Sequence, residues 1–331
     1  MTRNLEASSG FAVSVRSPSP QDAEAIAELR GAVNSAEIGN PYTDAADVLT
    51  QLTDPGIDLE RDWILVTTPD GELVGSGTVW VESPFLENYL DNYVHPDCKG
   101  LGLGTLLLDW AEGRAMEVVR LAPKGAAVML RHGVWVGAED GENLLRARGY
   151  RVARYFQDLA TAMPEPPAAP IWPDGIRVRS MVSGVDEPLA YRASVEGMGE
   201  HWGHASRDLE AWHHELTGYE GFDPALVFLA TDGSDVVGSA VFIAGTPEFP
   251  QSGWMAELSV LPAWRRRGIA TALVLHGLGA LYARGFRHAN TGVDSENPTR
   301  AGDLYSRLGF RPTTGHSVFE REIGRGGGAA A

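Results

Sequence analysis

Two stretches of the chain set a basic residue and tightly spaced small residues at the start of a leucine-rich pattern. They are Lys99-Gly100-Leu101-Gly102-Leu103-Gly104-Thr105 and Arg265-Arg266-Arg267-Gly268-Ile269-Ala270-Thr271. A strand that ends in such a loop and opens into a helix presents unpaired backbone N–H groups at the positive end of the helix dipole. That is a ready site for a phosphate or pyrophosphate. Side chains larger than Gly or Ala at 102, 104, 268 and 270 would hold the anion away from those groups. Two familiar phosphate loops do not fit: the third position after Gly104 is Leu107, which breaks G-x-G-x-x-G, and G-x-x-x-x-G-K-[ST] is absent. For either loop alone, a turn that only lets a helix pack on a strand is the alternative reading.

A second cluster lies in GMGEHWGHASRDLEAWHHEL at 197–216, which gathers Glu200, His201, Trp202, His204, His213 and His214. His201 and His204 stand three apart, but no carboxylate or cysteine completes a ligand set, so no metal is expected. Contact with a substrate is the better reading, and an ordinary surface helix is the other. The matching stretch of the first half, NSAEIGNPYTDAAD at 34–47, has no histidine.

The elements that must position these residues occur twice. VSVRS (13–17) is answered by IRVRS (176–180), PDGELVGSGTVW (69–80) by TDGSDVVGSAVF (231–242), NYVHPDCKGLGLG (92–104) by LSVLPAWRRRGIA (258–270), and LLRARGYRV (144–152) by LYSRLGFRP (304–312). The offsets stay between 160 and 166 in the same order, which marks a tandem duplication. In each copy a short strand (12–16; 176–179) leads into a helix (21–33; 186–197). Two strands follow around Asp70-Gly71 or Asp232-Gly233. A strand (88–94; 254–260) then runs into the glycine loop and its helix. A further strand (127–135; 287–293), a short helix (140–148; 298–308) and a final strand complete the copy. Five prolines between Pro164 and Pro173 predict an extended spacer. The expected organisation is therefore a domain at 1–163, a linker at 164–174, a domain at 175–323, and a tail at 324–331 with nothing to pack.

Composition narrows the class. A length of 331 residues with 44% hydrophobic content supports two cores. The net charge of −17 argues against generic binding to nucleic acid or anionic lipid. No apolar run spans a membrane and the N-terminus lacks a signal-peptide layout, so a cytoplasmic protein is expected. Cys98 is the single cysteine and reads as a small loop residue. Only Lys99 and Lys124 of the 27 basic residues are lysine, a compositional bias.

RRRGIA from Arg265 and KGLGLG from Lys99 resemble the [RQ]-x-x-G-x-[GA] motif of the GNAT acetyltransferase superfamily. VLPAW and VHPDC resemble the strand end that precedes it, and DSENPTRAGDLYSRLGF at 294–310 resembles the closing motif. The likeness covers both halves and is stronger in the second. The layout resembles the tandem GNAT group, which includes mycothiol synthase and acyltransferases of antibiotic-cluster type. It implies an α/β (α+β) fold in each half: a mixed, mostly antiparallel sheet flanked by helices. The fourth and fifth strands splay into a cofactor cleft through a bulge that the sequence does not locate.

The resemblance implies acetyl-CoA, or another acyl-CoA, as donor. Its pyrophosphate would lie on the N–H groups of 265–271 or 99–105. Its pantetheine arm would run along Leu258, Ser259 and Val260 or Asn92, Tyr93 and Val94, and Asn297 would join the cofactor site. In the family, the tyrosine four residues before the Gly-Phe pair often gives the leaving thiolate its proton, and here that is Tyr305. The same count back from Gly149 reaches Leu145, which can donate nothing. Glu257, on the strand flanking the acetyl group, is the candidate base, while Trp254 stands where some members carry glutamate. Glu200, His201, Trp202 and His204 would face the acceptor. The expected activity is N-acylation of a primary amine on a small molecule by the second half, with the first half binding CoA only. A non-catalytic acyl-CoA-binding or sensing protein, or a peptide or protein N-acetyltransferase, are the alternatives. Acceptor and oligomeric state are unspecified.

Overall fold

The computed structural model describes residues 3–6, 10–39, 43, 45–81, 83–202, 208–219, 221–245, 252–297 and 299–328. The chain begins with β1 (Arg3–Glu6), β2 (Ala12–Arg16), α1 (Ala23–Ile38), α2 (Ala45–Leu52), β3 (Trp63–Thr67), β4 (Leu73–Trp80) and β5 (Glu87–Val94). It continues with α3 (Leu103–Val119), β6 (Ala127–Trp135), α4 (Glu139–Ala147) and β7 (Arg151–Ala162). The second copy supplies β8 (Ile176–Ser180), α5 (Glu187–Met198), α6 (Leu209–Gly218), β9 (Val227–Asp232), β10 (Asp235–Ile243) and β11 (Ser252–Val260). It ends with α7 (Ile269–Ala283), β12 (His288–Asp294), α8 (Ala301–Arg307) and β13 (Arg311–Arg325). Two compact units result, one from residues 1–155 with 315–331 and the other from 156–314. β1 has no counterpart in the sequence reading.

In the first unit the strands lie in the order β1-β2-β3-β4-β5-β6-β13, antiparallel except for β5–β6. In the second they run β7-β12-β11-β10-β9-β8, antiparallel except for β11–β12. Each is the mixed, mostly antiparallel sheet expected. β3 is apolar at Trp63-Ile64-Leu65-Val66 because both of its faces are covered. Trp63 and Leu65 pack with residues of α1 and α2, and Ile64 and Val66 with Leu103 and Leu107 of α3. β9 repeats this: Val227 and Leu229 join Ala190, Ala193 and Leu216, while Phe228 and Ala230 join Leu273, Val274 and Leu278. The repeated Val-Arg-Ser ending also has a shared task. Arg16 bonds Asp22 (Nη1 to Oδ2, 2.9 Å) and Arg179 bonds Asp186, each tying a strand end to the start of the next helix.

The final strands depart from expectation. The sequence predicts that each completes its own half, and the structure exchanges them. β7 pairs with β12, from Ala162 opposite His288 to Phe156 opposite Asp294, and β13 pairs with β6, from His316 opposite Trp135 to Arg325 opposite Ala127. Both halves derive from one repeat, so the open edges of β6 and β12 are equivalent. Either final strand satisfies their backbone groups. The boundaries at 163 and 175 therefore mark the repeat, and the compact units cut across them. The linker, 164–174, has no helix or strand, and Trp172 anchors it by an edge contact on His276 at 6.1 Å.

The expected free tail is corrected as well. Gly324 and Arg325 finish β13, Gly326 N donates to Ala126 O at 2.8 Å, and Gly328 N donates to Ala122 O at 3.1 Å. A Cβ on Gly326 would stand 2.1 Å from the Pro123 carbonyl oxygen, so the lack of a side chain is what lets this segment pack. Residues 329–331 lie outside the described residues.

The exchange makes a prediction about cleavage. A chain cut at an engineered protease site within 165–170 should still elute at the size of the intact 35.6 kDa protein, because each piece supplies a strand to a sheet built mainly by the other. Expressed alone, 164–331 lacks β7 and should aggregate, since the edge of β12 is then open. Clean separation of the cut pieces on size-exclusion chromatography would contradict the exchange.

Candidate active site

The site of the second unit begins with an interrupted ladder. β11 and β12 are paired only at Ser252–His288, Gly253–Ala289 and Trp254–Asn290. On the other side of β11, Val241 faces Glu257 and Phe242 faces Met255, so Ala256 is an extra residue in the ladder. This is the bulge, and it lies where the two parallel strands part. Beyond it a cleft of about 700 Å³ opens, floored by β11 and β12 and bordered by α5, α7 and α8. In the first unit β5 and β6 part after Leu90 and His132, while the β4–β5 register runs unbroken from Gly75–Val94 to Trp80–Tyr89.

Of the titratable groups that line this cleft, Tyr305 and Glu257 come from different elements and have shifted ionisation. Tyr305, on α8, is 6% exposed, and burial pushes its phenol up to about 12 against the effect of a hydrogen bond with Thr291. The Thr291 hydroxyl in turn donates to Met255 O at 3.0 Å, linking the parted strands just where the opening begins. Glu257, on β11, accepts from the Ser194 hydroxyl at 2.8 Å through Oε2, and its Oε1 is buried with no hydrogen-bond partner among the described residues. Burial raises Glu257 to about 7, opposed by the Ser194 hydroxyl and the Trp212 indole and assisted by the Glu215 charge. A carboxylate near 7 and a phenol far above it suit a base and an acid at neutral pH.

The glycine loop forms the end wall. Gly268 caps α7 at φ 91°, a conformation that side chains resist, and nothing lies within 4 Å of where its Cβ would stand. The first N–H groups of α7, at 269–271, have no carbonyl within their own helix and border this open space. The three arginines take different roles. Arg265 donates to Val260 O (3.2 Å), to Gly197 O (3.1 Å) and to Glu200, so its guanidinium braces the protein. Arg267 stacks on Trp264 at 4.6 Å and donates to Ala263 O. Arg266, at φ 62°, is exposed and has no ion pair or hydrogen bond among the described residues. It is a cation open to an anion, and Arg307, exposed on the same lining, is another.

Of the residues expected in the second half, Glu257, Leu258, Val260, Arg265, Arg266, Gly268, Ile269, Ala270, Thr271, Asn297, Tyr305, Glu200, His201 and Trp202 line this one cleft. Ser259 is outside the lining, its hydroxyl 2.8 Å from that of Ser239, and Arg267 is outside it as well. His204 lies outside the described residues. Phe156 and Thr291 were missed. Phe156 stands 6.3 Å from Trp202 and comes from β7, so no local signal ties it to this site. Thr291 could have been noticed as a hydroxyl amid the buried positions of β12.

The first unit keeps the loop with other surroundings. Gly100 and Gly102 have φ of 77° and 83°, Gly102 caps α3, Leu103 is buried, and a Cβ on Gly104 would meet Leu144 at 3.2 Å. Lys99 pairs with Glu37 at 3.3 Å. Tyr93 lies under the Arg30 guanidinium, 5.0 Å from its ring centroid, and burial raises its phenol to about 12. Asn92 Oδ1 is buried and unpartnered among the described residues. Leu145 is 2% exposed within the core, at the place of Tyr305. At the position of Thr291 stands Arg131, paired with Glu87 at 2.6 Å and Glu320 at 3.4 Å.

Known proteins share this architecture. The family described as "Acetyltransferase (GNAT) domain" matches residues 223–312, and "Acetyltransferase (GNAT) family" matches 37–128. A mycothiol acetyltransferase of Streptomyces scabiei is 30% identical over 244 residues, covering 72% of this chain and 73% of that protein. A crystal structure of a GCN5-related N-acetyltransferase from Sphaerobacter thermophilus superposes with a TM-score of 0.78 at 33% identity, over 97% of this chain and 98% of that one. The chain belongs to the GNAT acetyltransferase family. A tandem GNAT protein from the clavulanic acid biosynthesis pathway shares the fold, with a TM-score of 0.70 at 16% identity over 94% of this chain and 99% of that one. GNAT enzymes take acetyl-CoA as donor, and this tandem GNAT chain is an acyltransferase. The open cradle at Gly268, the free Arg266 and the unpaired edges of β11 and β12 fit such a donor. No described helix is long and apolar enough to cross a membrane.

The glycine cradles yield a binding prediction. Gly268→Val puts a branched side chain where φ is 91°, which should cost about 1–2 kcal/mol of stability and block the N–H groups of α7. By calorimetry this variant should lose one acetyl-CoA site, and Gly102→Val with Gly268→Val should lose all binding. Full binding by the folded double variant would exclude the loops as the cofactor site.

Proposed function

We propose that the second unit transfers an acetyl group from acetyl-CoA to the primary amine of a small molecule, and that the first unit binds CoA without turning it over. The observation that carries this is the meeting of Glu257 and Tyr305 in one cleft beside an open glycine cradle, set against Leu145 at the tyrosine's place in the first unit. Acetyl-CoA supplies the acetyl thioester. Its phosphates would be held by the N–H groups of 269–271 with Arg266, and its arm by the β11 backbone beyond Trp254 on the edge that β12 leaves. Glu257 takes one proton of the incoming ammonium through Oε1, and the freed amine attacks the thioester carbonyl. The C–S bond breaks as Tyr305 protonates the departing sulfur, and the second proton lost by the new amide nitrogen restores Tyr305. Glu200, His201, Trp202 and Phe156 border the acceptor side. The relatives named mycothiol acetyltransferase support a small amine over a peptide. In the first unit Leu145 removes the acid, which favours the ligand-holding reading for that half alone. A ligand at about 100 times its Kd would stabilise its domain by ~2.7 kcal/mol.

Release of free thiol from acetyl-CoA across a panel of small amines tests the reading. Tyr305→Phe should lower kcat by ~10²-fold or more at unchanged acetyl-CoA affinity, since a general acid acts in the transition state. Wild-type turnover by this variant would leave Tyr305 as a buried packing residue with no part in proton transfer. The wild-type rate should rise with pH as Glu257 ionises near 7, while Tyr305 keeps its proton far above that. Glu257→Gln should lose both the rate and this limb.

A further inference from the structure

We propose that Ser194 is the positioning residue of the base: it holds one oxygen of Glu257 and leaves the other to take the acceptor's proton. The inference rests on the reading of Glu257 as base and adds how its carboxylate is oriented. It starts from the inward face of α5, whose buried residues are Ala190, Ala193, Ser194 and Gly197. Three are small and one carries a hydroxyl. Gly197 lies so close to β11 that a Cβ there would stand 2.6 Å from Ser259 Cβ and 3.2 Å from Val260 N. Only glycine permits that approach. Ser194 is one turn earlier on the same face, and Glu257 is two residues before Ser259 on the same face of its strand. The close seat of Gly197 on Ser259 thereby brings Ser194 onto Glu257, where the hydroxyl donates to Oε2 at 2.8 Å.

The other oxygen, Oε1, has no partner among the described residues and belongs to a side chain that lines the cleft. A carboxylate free to rotate would present either oxygen in many directions; one held at Oε2 presents Oε1 in one. The far end of the same seam is clamped by Arg265, which donates both to Gly197 O and to Val260 O. The position of the base is thus tied to the loop that cradles the donor. Several groups face Glu257. From α6 come Glu215 and the Trp212 indole, from β10 the paired residue is Val241, and from α5 comes Ser194. Glu215 opposes ionisation, and the Ser194 hydroxyl favours it by bonding the charged form.

The test is a titration of the full-length protein labelled with ¹³C at glutamate carboxyls, with Glu257→Gln to assign the signal. Ser194→Ala should move the Glu257 midpoint upward by ~1–2 pH units, and the acid limb of kcat/KM should move with it. Ser194→Thr, which keeps the hydroxyl, should restore both. In the Glu257→Gln background, Ser194→Ala should change kcat by less than ~2-fold, because the effect runs through the carboxylate. An unmoved Glu257 signal in folded Ser194→Ala would overturn the inference, as would an undiminished loss of kcat in the Glu257→Gln background. A moved signal with unchanged turnover would instead overturn Glu257 as the base while keeping its link to Ser194.

Discussion

Two neighbouring strands that stop pairing leave a row of backbone N–H and C=O groups for something else to satisfy. That is the constraint on which the second unit turns. β11 and β12 hold together for three residue pairs, the extra residue Ala256 bends β11, and every group of interest lies beyond the bend. Unpaired buried backbone is costly, so such a gap persists only where solvent or a ligand completes it. An extended donor lying along 258–260 is a natural occupant, and its reactive end would reach the region between Glu257 and Tyr305. The Thr291 hydroxyl on Met255 O closes the inner end of the gap and limits how far it can widen.

On the proposed reading, few changes separate the ligand cradle from the chemistry. Both retain left-handed glycines before the long helix, both have a parallel pair that parts, and both tie the first basic loop residue to a glutamate near the end of the first helix. What differs is the far side of the gap. Tyr305 and Thr291 are replaced by Leu145 and Arg131, one dissolved in the core and the other locked between two carboxylates. Neither is free to hand over a proton.

Much of this was legible in the residues, because the features concerned have few alternatives. A helix entered through a left-handed residue asks for glycine, so the loops at 99–105 and 265–271 announce themselves, and the resemblance to the family's closing motif points to Tyr305. Other features leave no such mark. Ala256 sits between Met255 and Glu257 without a sign that it is the extra residue. Arg265 opens the loop expected to cradle the pyrophosphate, yet the carbonyls of Gly197 and Val260 hold its guanidinium. Phe156 belongs to a strand that could have completed either sheet, and pattern alone has no means of choosing between equivalent edges. Ser194 was available as a hydroxyl on an otherwise small, inward helix face.

The exchange of β7 and β13 also orders events during synthesis. The chain grows from the N-terminus, and domains generally fold as they emerge. The second unit has its outer strand, β7, in hand before β12 is made. The first unit must wait with the edge of β6 open until residues 315–325, near the end of the chain, have left the ribosome. The half that is translated first is therefore the half that closes last.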